Sequence, residues 1–163
     1  RAGEHASPGS YYAVRIWDAR SGRLLHTLKG HSTRVRTVAF SADSRQLASC
    51  ADEGHIRVWS VESGAALRDW KAGGLIYGVG FADHDQALAT VGDRGEILIW
   101  RVDTAALLAR LPRQADVLFG VRLTGDSIVG WGSDGAVRSI DLRQVDSRIQ
   151  ACEAFWRREL APP

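Results

Sequence analysis

The chain has 163 residues, 45% of them hydrophobic and 25% charged, which is the make-up of one globular domain. Its net charge of +2 is too small to mark a nucleic-acid partner by itself. No apolar run reaches the ~18 residues of a membrane span and no signal peptide is visible, so a cytoplasmic protein without a membrane partner is expected.

Residues 1–10, RAGEHASPGS, are polar and punctuated by Gly and Pro, and read as a disordered lead-in. Residues 11–18 are rich in β-branched and aromatic side chains and read as a strand. Ser21-Gly22 turns the chain, and 23–29 returns beside it. Four strands are expected next, near 34–40, 46–51, 55–59 and 65–70. Ala42-Asp43-Ser44, Asp52-Glu53-Gly54 and Glu62-Ser63-Gly64 supply the turns between them. In the first of these strands Val38 and Phe40 share one face and Val35 and Ala39 the other, the pattern of a strand covered on both sides. The four-strand pattern repeats at 75–81, 87–91, 96–100 and 105–111. Three further strands are expected at 117–123, 127–131 and 136–140.

Past Asp141 the pattern changes. Val145, Ile149, Cys152, Trp156 and Leu160 recur at helical spacing behind Asp141-Leu142-Arg143-Gln144, which resembles a capping box. An amphipathic helix is expected at about 143–160, with a strand at 144–151 as the rival reading. Two isolated cysteines, Cys50 and Cys152, make no disulfide framework.

Trp17, Trp59 and Trp100 close the segments VRIW, IRVW and ILIW at intervals of 42 and 41 residues. Ile140 holds the same place 40 residues further on. Phe40, Phe81 and Leu123 end the first apolar segment of each unit, and Leu47, Leu88 and Ile128 begin the second. Periods of about 40–45 residues built from short strands and Gly-rich turns point to propeller blades. A closed ring takes at least about 4 blades. An open arc leaves apolar faces and strand edges uncovered, so further blades of a longer chain or a second copy of this one are expected to cover them. A chain that opens at Arg1 and holds no methionine reads as a segment of a longer protein. Its basic residues are arginine apart from Lys29 and Lys71, which reads as a coding bias suited to a bacterial source.

Trp17-Asp18 and Gly30-His31 are dipeptides of a known kind. On them, and on the period, residues 11–142 resemble the WD-repeat β-propeller family. The expected fold is all-β: a partial WD-type β-propeller of about three to four blades of four-stranded antiparallel sheet. A C-terminal helix and tail would follow at 143–163. In the family a His on the top loop, an acid in the turn between strands b and c, a Ser or Thr on strand b and the Trp on strand c form a hydrogen-bonded set. Carried over, the second unit offers His31, Ser49 and Trp59, with Asp52 or Glu53 as the acid. The third keeps Thr90 and Trp100 but has Ala72 for the His and Arg94 for the acid. The fourth keeps only Asp134, with Gln114, Gly130 and Ile140 elsewhere.

Arg36, Tyr77 and Phe119 fall at one register of strand a in three successive units. In the family this end of strand a opens towards the face where peptides and protein segments bind. Arg and aromatics are the types enriched in binding hot spots. The competing reading is that they pack between blades. Arg34 and Arg94 join them as candidates from the neighbouring loops.

Ser49, His31 and Asp52 share letters with a hydrolase triad, but nothing in the sequence suggests an exposed nucleophile or an oxyanion hole. His31, His55, Asp52 and Cys50 match no zinc spacing. Gly73-Gly74 and Gly92-Asp93-Arg94-Gly95 lack a phosphate-binding fingerprint and read as turns.

The expected function is therefore non-catalytic, with no cofactor and no metal. It is an interaction scaffold that holds a protein or peptide at the rim formed by 30–34, 51–54, 71–75, 92–95, 112–116 and 132–135. A propeller hydrolase or redox domain is one alternative. A phosphate- or nucleic-acid-binding surface is the other.

Overall fold

A computed structural model describes residues 12–81, 85–111, 113, 115–124 and 127–141. The lead-in at 1–10, Gln114, Cys152 and the helix or strand expected beyond 142 lie outside the described residues.

Thirteen strands form four antiparallel sheets among the described residues. The first sheet is β1 (Val14–Trp17) and β2 (Leu24–Leu28). The second runs β3 (Val35–Phe40), β4 (Gln46–Ala51), β5 (His55–Ser60) and β6 (Ala66–Lys71) in spatial order. The third repeats it with β7 (Ile76–Phe81), β8 (Ala87–Gly92), β9 (Ile97–Arg101) and β10 (Leu107–Leu111). The fourth holds β11 (Leu118–Thr124), β12 (Ser127–Gly132) and β13 (Val137–Asp141). Each sheet is a meander of neighbours in sequence, because turns of two to six residues can join only antiparallel strands.

The sheets bury their flat sides against one another. Ala48, Cys50, Ile56 and Val58 leave the second sheet and meet Ile76, Val79 and Phe81 of the third. The corresponding positions of the third sheet, Ala89, Val91, Ile97 and Ile99, meet Leu118 and Val121 of the fourth. Period-2 alternation carries small aliphatic residues to one face and larger ones to the other, so successive sheets interdigitate. Gly78 sets how near the inner strands come. A Cβ there would stand 2.7 Å from Gly120 Cα and 3.0 Å from the Phe119 carbonyl oxygen.

Polar ties lock the same order at the rim opposite the His31 loop. Asp85 accepts the backbone N–H groups of Ala42 and Asp43 at 2.6 and 3.0 Å. Arg68 Nε donates to the Asp103 carbonyl at 2.7 Å, and His26 Nε2 donates to that of Glu62 at 3.0 Å.

One expectation is corrected. β3 is not covered on both faces among the described residues: Val38 is 46% exposed and Phe40 52%. Their counterparts Val79 and Phe81 are buried by the preceding sheet. Among the described residues the first sheet has only β1 and β2, so no inner strand stands in front of β3 there. The far end is open in the same way, with Trp131 and Val137 exposed where Val91 and Ile97 are covered.

Candidate functional site

The second sheet carries a closed hydrogen-bond relay. Trp59 Nε1 donates to Ser49 Oγ at 2.8 Å. Ser49 Oγ lies 2.8 Å from His31 Nε2, and His31 Nδ1 lies 2.6 Å from Glu53 Oε1. A neutral imidazole with its proton on Nδ1 satisfies all three bonds at once.

The acid left open between Asp52 and Glu53 is Glu53, and Asp52 has other work. Glu53 Oε2 also accepts from the backbone N–H groups of Ser32 and Thr33 and from Thr33 Oγ1, and Arg57 Nη1 donates to Oε1 at 2.7 Å. Burial pushes the Glu53 carboxyl up, but bonds from Thr33, His31 and Arg57 outweigh it and hold it well below the usual carboxylate range. Burial pushes the His31 imidazole down, and the Arg57 guanidinium adds to that against the pull of Glu53. Thr33 and Arg57 were not picked from the sequence. Arg57 stands four residues after Glu53 and two before Trp59, a spacing that offered the only signal.

In the third sheet Trp100 Nε1 donates to Thr90 Oγ1 at 2.8 Å, matching Trp59 and Ser49. With Ala72 in the histidine's place, a small cavity of about 20 Å³ lies between Ala72, Thr90, Leu98 and Arg94. In the fourth sheet Asp134 pairs with Arg138 instead. Trp17 occupies the tryptophan position of β1 but is exposed, because among the described residues no strand stands beside β1 on that side.

Ser49 is fully buried, so no substrate reaches its hydroxyl. Cys50 is a buried free thiol whose pKa burial raises. His55 pairs with Asp69 on an outer edge at 2.6 Å. Among the described residues no three His, Cys, Asp or Glu side chains are grouped as metal ligands.

Arg36, Tyr77 and Phe119 come together. Each sits where the pairing of its inner strand slips by one residue, between Val35 and Thr37, Ile76 and Gly78, and Leu118 and Gly120. An extra residue in one strand re-aims its side chain, so three equivalent bulges aim three side chains alike. The Arg36 guanidinium lies over the Tyr77 ring, 5.2 Å from its centroid. Tyr77 and Phe119 follow at 6.2 Å with their rings tilted by 56°. Asp52 Oδ1 accepts from Arg36 Nε at 2.5 Å and orients it. Phe119 ends the column half exposed, and Trp131 lies over the neighbouring Gly120.

The rim beside the column is continuous. Asp52, Asp93 and Ser133 each donate a backbone N–H to the residue that enters the inner strand of their sheet: Arg34, Leu75 and Val117. Gly54 and Gly95 adopt φ of +76° and +65°, and a Cβ on either would meet the Gly74 or Ala115 carbonyl oxygen of the next sheet. Each turn therefore rests on its neighbour's entry loop. Arg34 and Arg94 are exposed there, and neither side chain has a partner among the described residues.

A family model described as WD domain, G-beta repeat, matches residues 22–60, from the turn before β2 to the end of β5. Residues 22–60 thus match one WD40 repeat, and the chain around them is similar to proteins that share it. The chain is 39% identical over 66 residues to apoptotic protease-activating factor 1 of Rattus norvegicus, covering 40% of this chain and 5% of that protein. It is 41% identical over 56 residues to the nuclear distribution protein PAC1 of Arthroderma benhamiae, covering 34% of this chain and 12% of that one. The crystal structure of the RRP9 WD40 repeats superimposes with a TM-score of 0.73 at 25% identity, covering 80% of this chain and 42% of that chain. The match thus spans about a tenth or less of the two curated relatives and under half of that structure, and the expectation of a bacterial source finds no support among them. No helix among the described residues is long and apolar enough to cross a membrane.

Proposed function

We propose that the chain is a non-catalytic interaction scaffold whose WD40 blades hold a protein or peptide segment at the rim of Arg36, Tyr77, Phe119, Arg34 and Arg94. The observation that carries this reading is the column. Three residues from three blades, more than forty positions apart, are aligned by matching bulges and left open to solvent at Phe119. Buried faces and hydrogen bonds join the blades to one another, so a guest meets a surface already formed, and little ordering cost opposes binding. The stretches of PAC1 and apoptotic protease-activating factor 1 that match this chain lie within much longer chains. On the same reading the two open end faces are covered by further blades or by a second copy, and the protein works in the cytoplasm.

Panning a library of random dodecapeptides against the chain tests the rim. Enriched peptides are expected to lose binding to the Phe119→Ser and Tyr77→Ala variants. Peptides that bind these variants as well as the parent place the guest elsewhere. A propeller hydrolase is the weaker reading, because the one Ser–His–acid set is buried and engaged with Trp59.

A further inference from the structure

The charges around the column are not balanced. Arg36 is neutralised by Asp52, Arg57 by Glu53 and Arg113 by Asp116. The loops that enter β3 and β7, the end of β6 and the turn after β8 then leave Lys29, Arg34, Lys71 and Arg94 exposed without a salt bridge among the described residues. Asp93 is the one acid beside them without a salt bridge among the described residues, set with Arg94 over Gly74. The opposite rim mixes signs, with Arg20, Arg23 and Arg45 among Asp43, Glu62 and Asp85. The excess of cations therefore belongs to the end where the aromatic column opens.

We propose that the rim takes an acidic, extended protein segment that seats one apolar side chain on Phe119, beside Tyr77, and sets carboxylates against Arg34 and Arg94. This rests on the rim being the binding site. With 5.2 Å from the Arg36 guanidinium to the Tyr77 ring and 6.2 Å from there to the Phe119 ring, the column spans no more than about three residues of extended chain. One anchor residue with acidic neighbours on either side fits that span. The cations steer the segment and set its sign, while the ring supplies the buried contact. A single-stranded nucleic acid suits the site less well. Stacking of successive bases needs a run of free ring faces. Here the Tyr77 face is already covered by Arg36, leaving Phe119 as the open platform.

The test uses the whole chain and four dye-labelled probes. One is a dodecapeptide of glutamate and glycine with a central Phe. The second replaces its glutamates by lysine, the third replaces its Phe by Ser, and the fourth is a twelve-nucleotide oligo-dT.

The acidic Phe peptide is expected to bind at least about tenfold more tightly than the basic one, with an affinity that falls as salt rises. The Arg34→Glu/Arg94→Glu double variant should abolish that difference. Its melting temperature should not change, because both side chains are exposed and unpaired. Removing the central Phe should weaken binding, as should Phe119→Ser. Equal affinity for the acidic and basic Phe peptides, lost with Phe119→Ser, overturns the acidic assignment and leaves the rim site standing. Tighter binding of the oligonucleotide, lost in the double variant, also overturns it. If no peptide binds, the rim site itself falls.

Discussion

Glu53 shows how one side chain stitches a blade. Its carboxylate gathers the loop at 31–33, the turn that carries it and Arg57 of the next strand, and through His31 it reaches the buried Ser49 and Trp59. The relay needs a neutral His31, since its Nε2 must accept from Ser49. The fold therefore holds the His31 pKa below its unfolded value of 6.5, chiefly by burial, with Arg57 opposing and Glu53 and Asp69 favouring the charged form. The sign of the pH effect follows. The unfolded chain takes up a proton that the folded chain refuses, so stability is complete above about pH 6.5 and declines as pH falls below it. The decline is at most about 1.4 kcal/mol per pH unit. Urea unfolding at pH 7.5, 6.0 and 5.0 should show this loss in the parent and a flatter profile in His31→Gln. A parallel profile in the variant would remove His31 as the source. Below about pH 4.5 protonation of Glu53 adds a second loss, because its pKa is depressed in the fold.

At the scale of elements, the inner strands decide where everything else sits. β3, β7 and β11 each carry a bulge at the same register, and β7 runs close against β11 because Gly78 and Gly80 have no side chain. Gly78→Ala would drive a Cβ into backbone on β11 and also to within 2.7 Å of Val91 Cγ2. The strands must part, and a loss of about 1–3 kcal/mol is expected. Gly130 is also a strand glycine, yet a Cβ there meets nothing nearer than 3.8 Å. Gly130→Ala should stay within about 0.5 kcal/mol of the parent. Thermal unfolding of the two variants side by side checks this, and equal melting temperatures would remove close strand approach as the reason for Gly78.

At the scale of the whole molecule, the arc formed by the described residues is open. Val38 and Phe40 at one end, and Trp131 and Val137 (72% exposed) at the other, occupy positions that neighbouring sheets cover elsewhere. Exposed apolar faces of this kind invite a cover. The chain in dilute solution should bind an environment-sensitive apolar dye if it is monomeric. If it is a dimer, it should exclude the dye. Phe40→Ser/Val137→Ser should bind less dye without unfolding. A well-folded monomer that binds no dye would mean that the end faces are covered from within the chain.

The strands, their order and the shared register of Arg36, Tyr77 and Phe119 were legible in the sequence. Period-2 alternation and turn chemistry are local, and the recurrence of Trp59 and Trp100 at a fixed interval fixes which segments are equivalent. The tertiary structure alone settled three things. Glu53 rather than Asp52 faces His31, because two adjacent residues in a turn point apart and only a loop twenty positions away distinguishes them. Bulges align the column, because a slipped pairing depends on the partner strand. The outer face of β3 lies open although its residues are apolar on both sides, because alternation records what a face can bury, and only the presence of a neighbouring sheet decides whether it does.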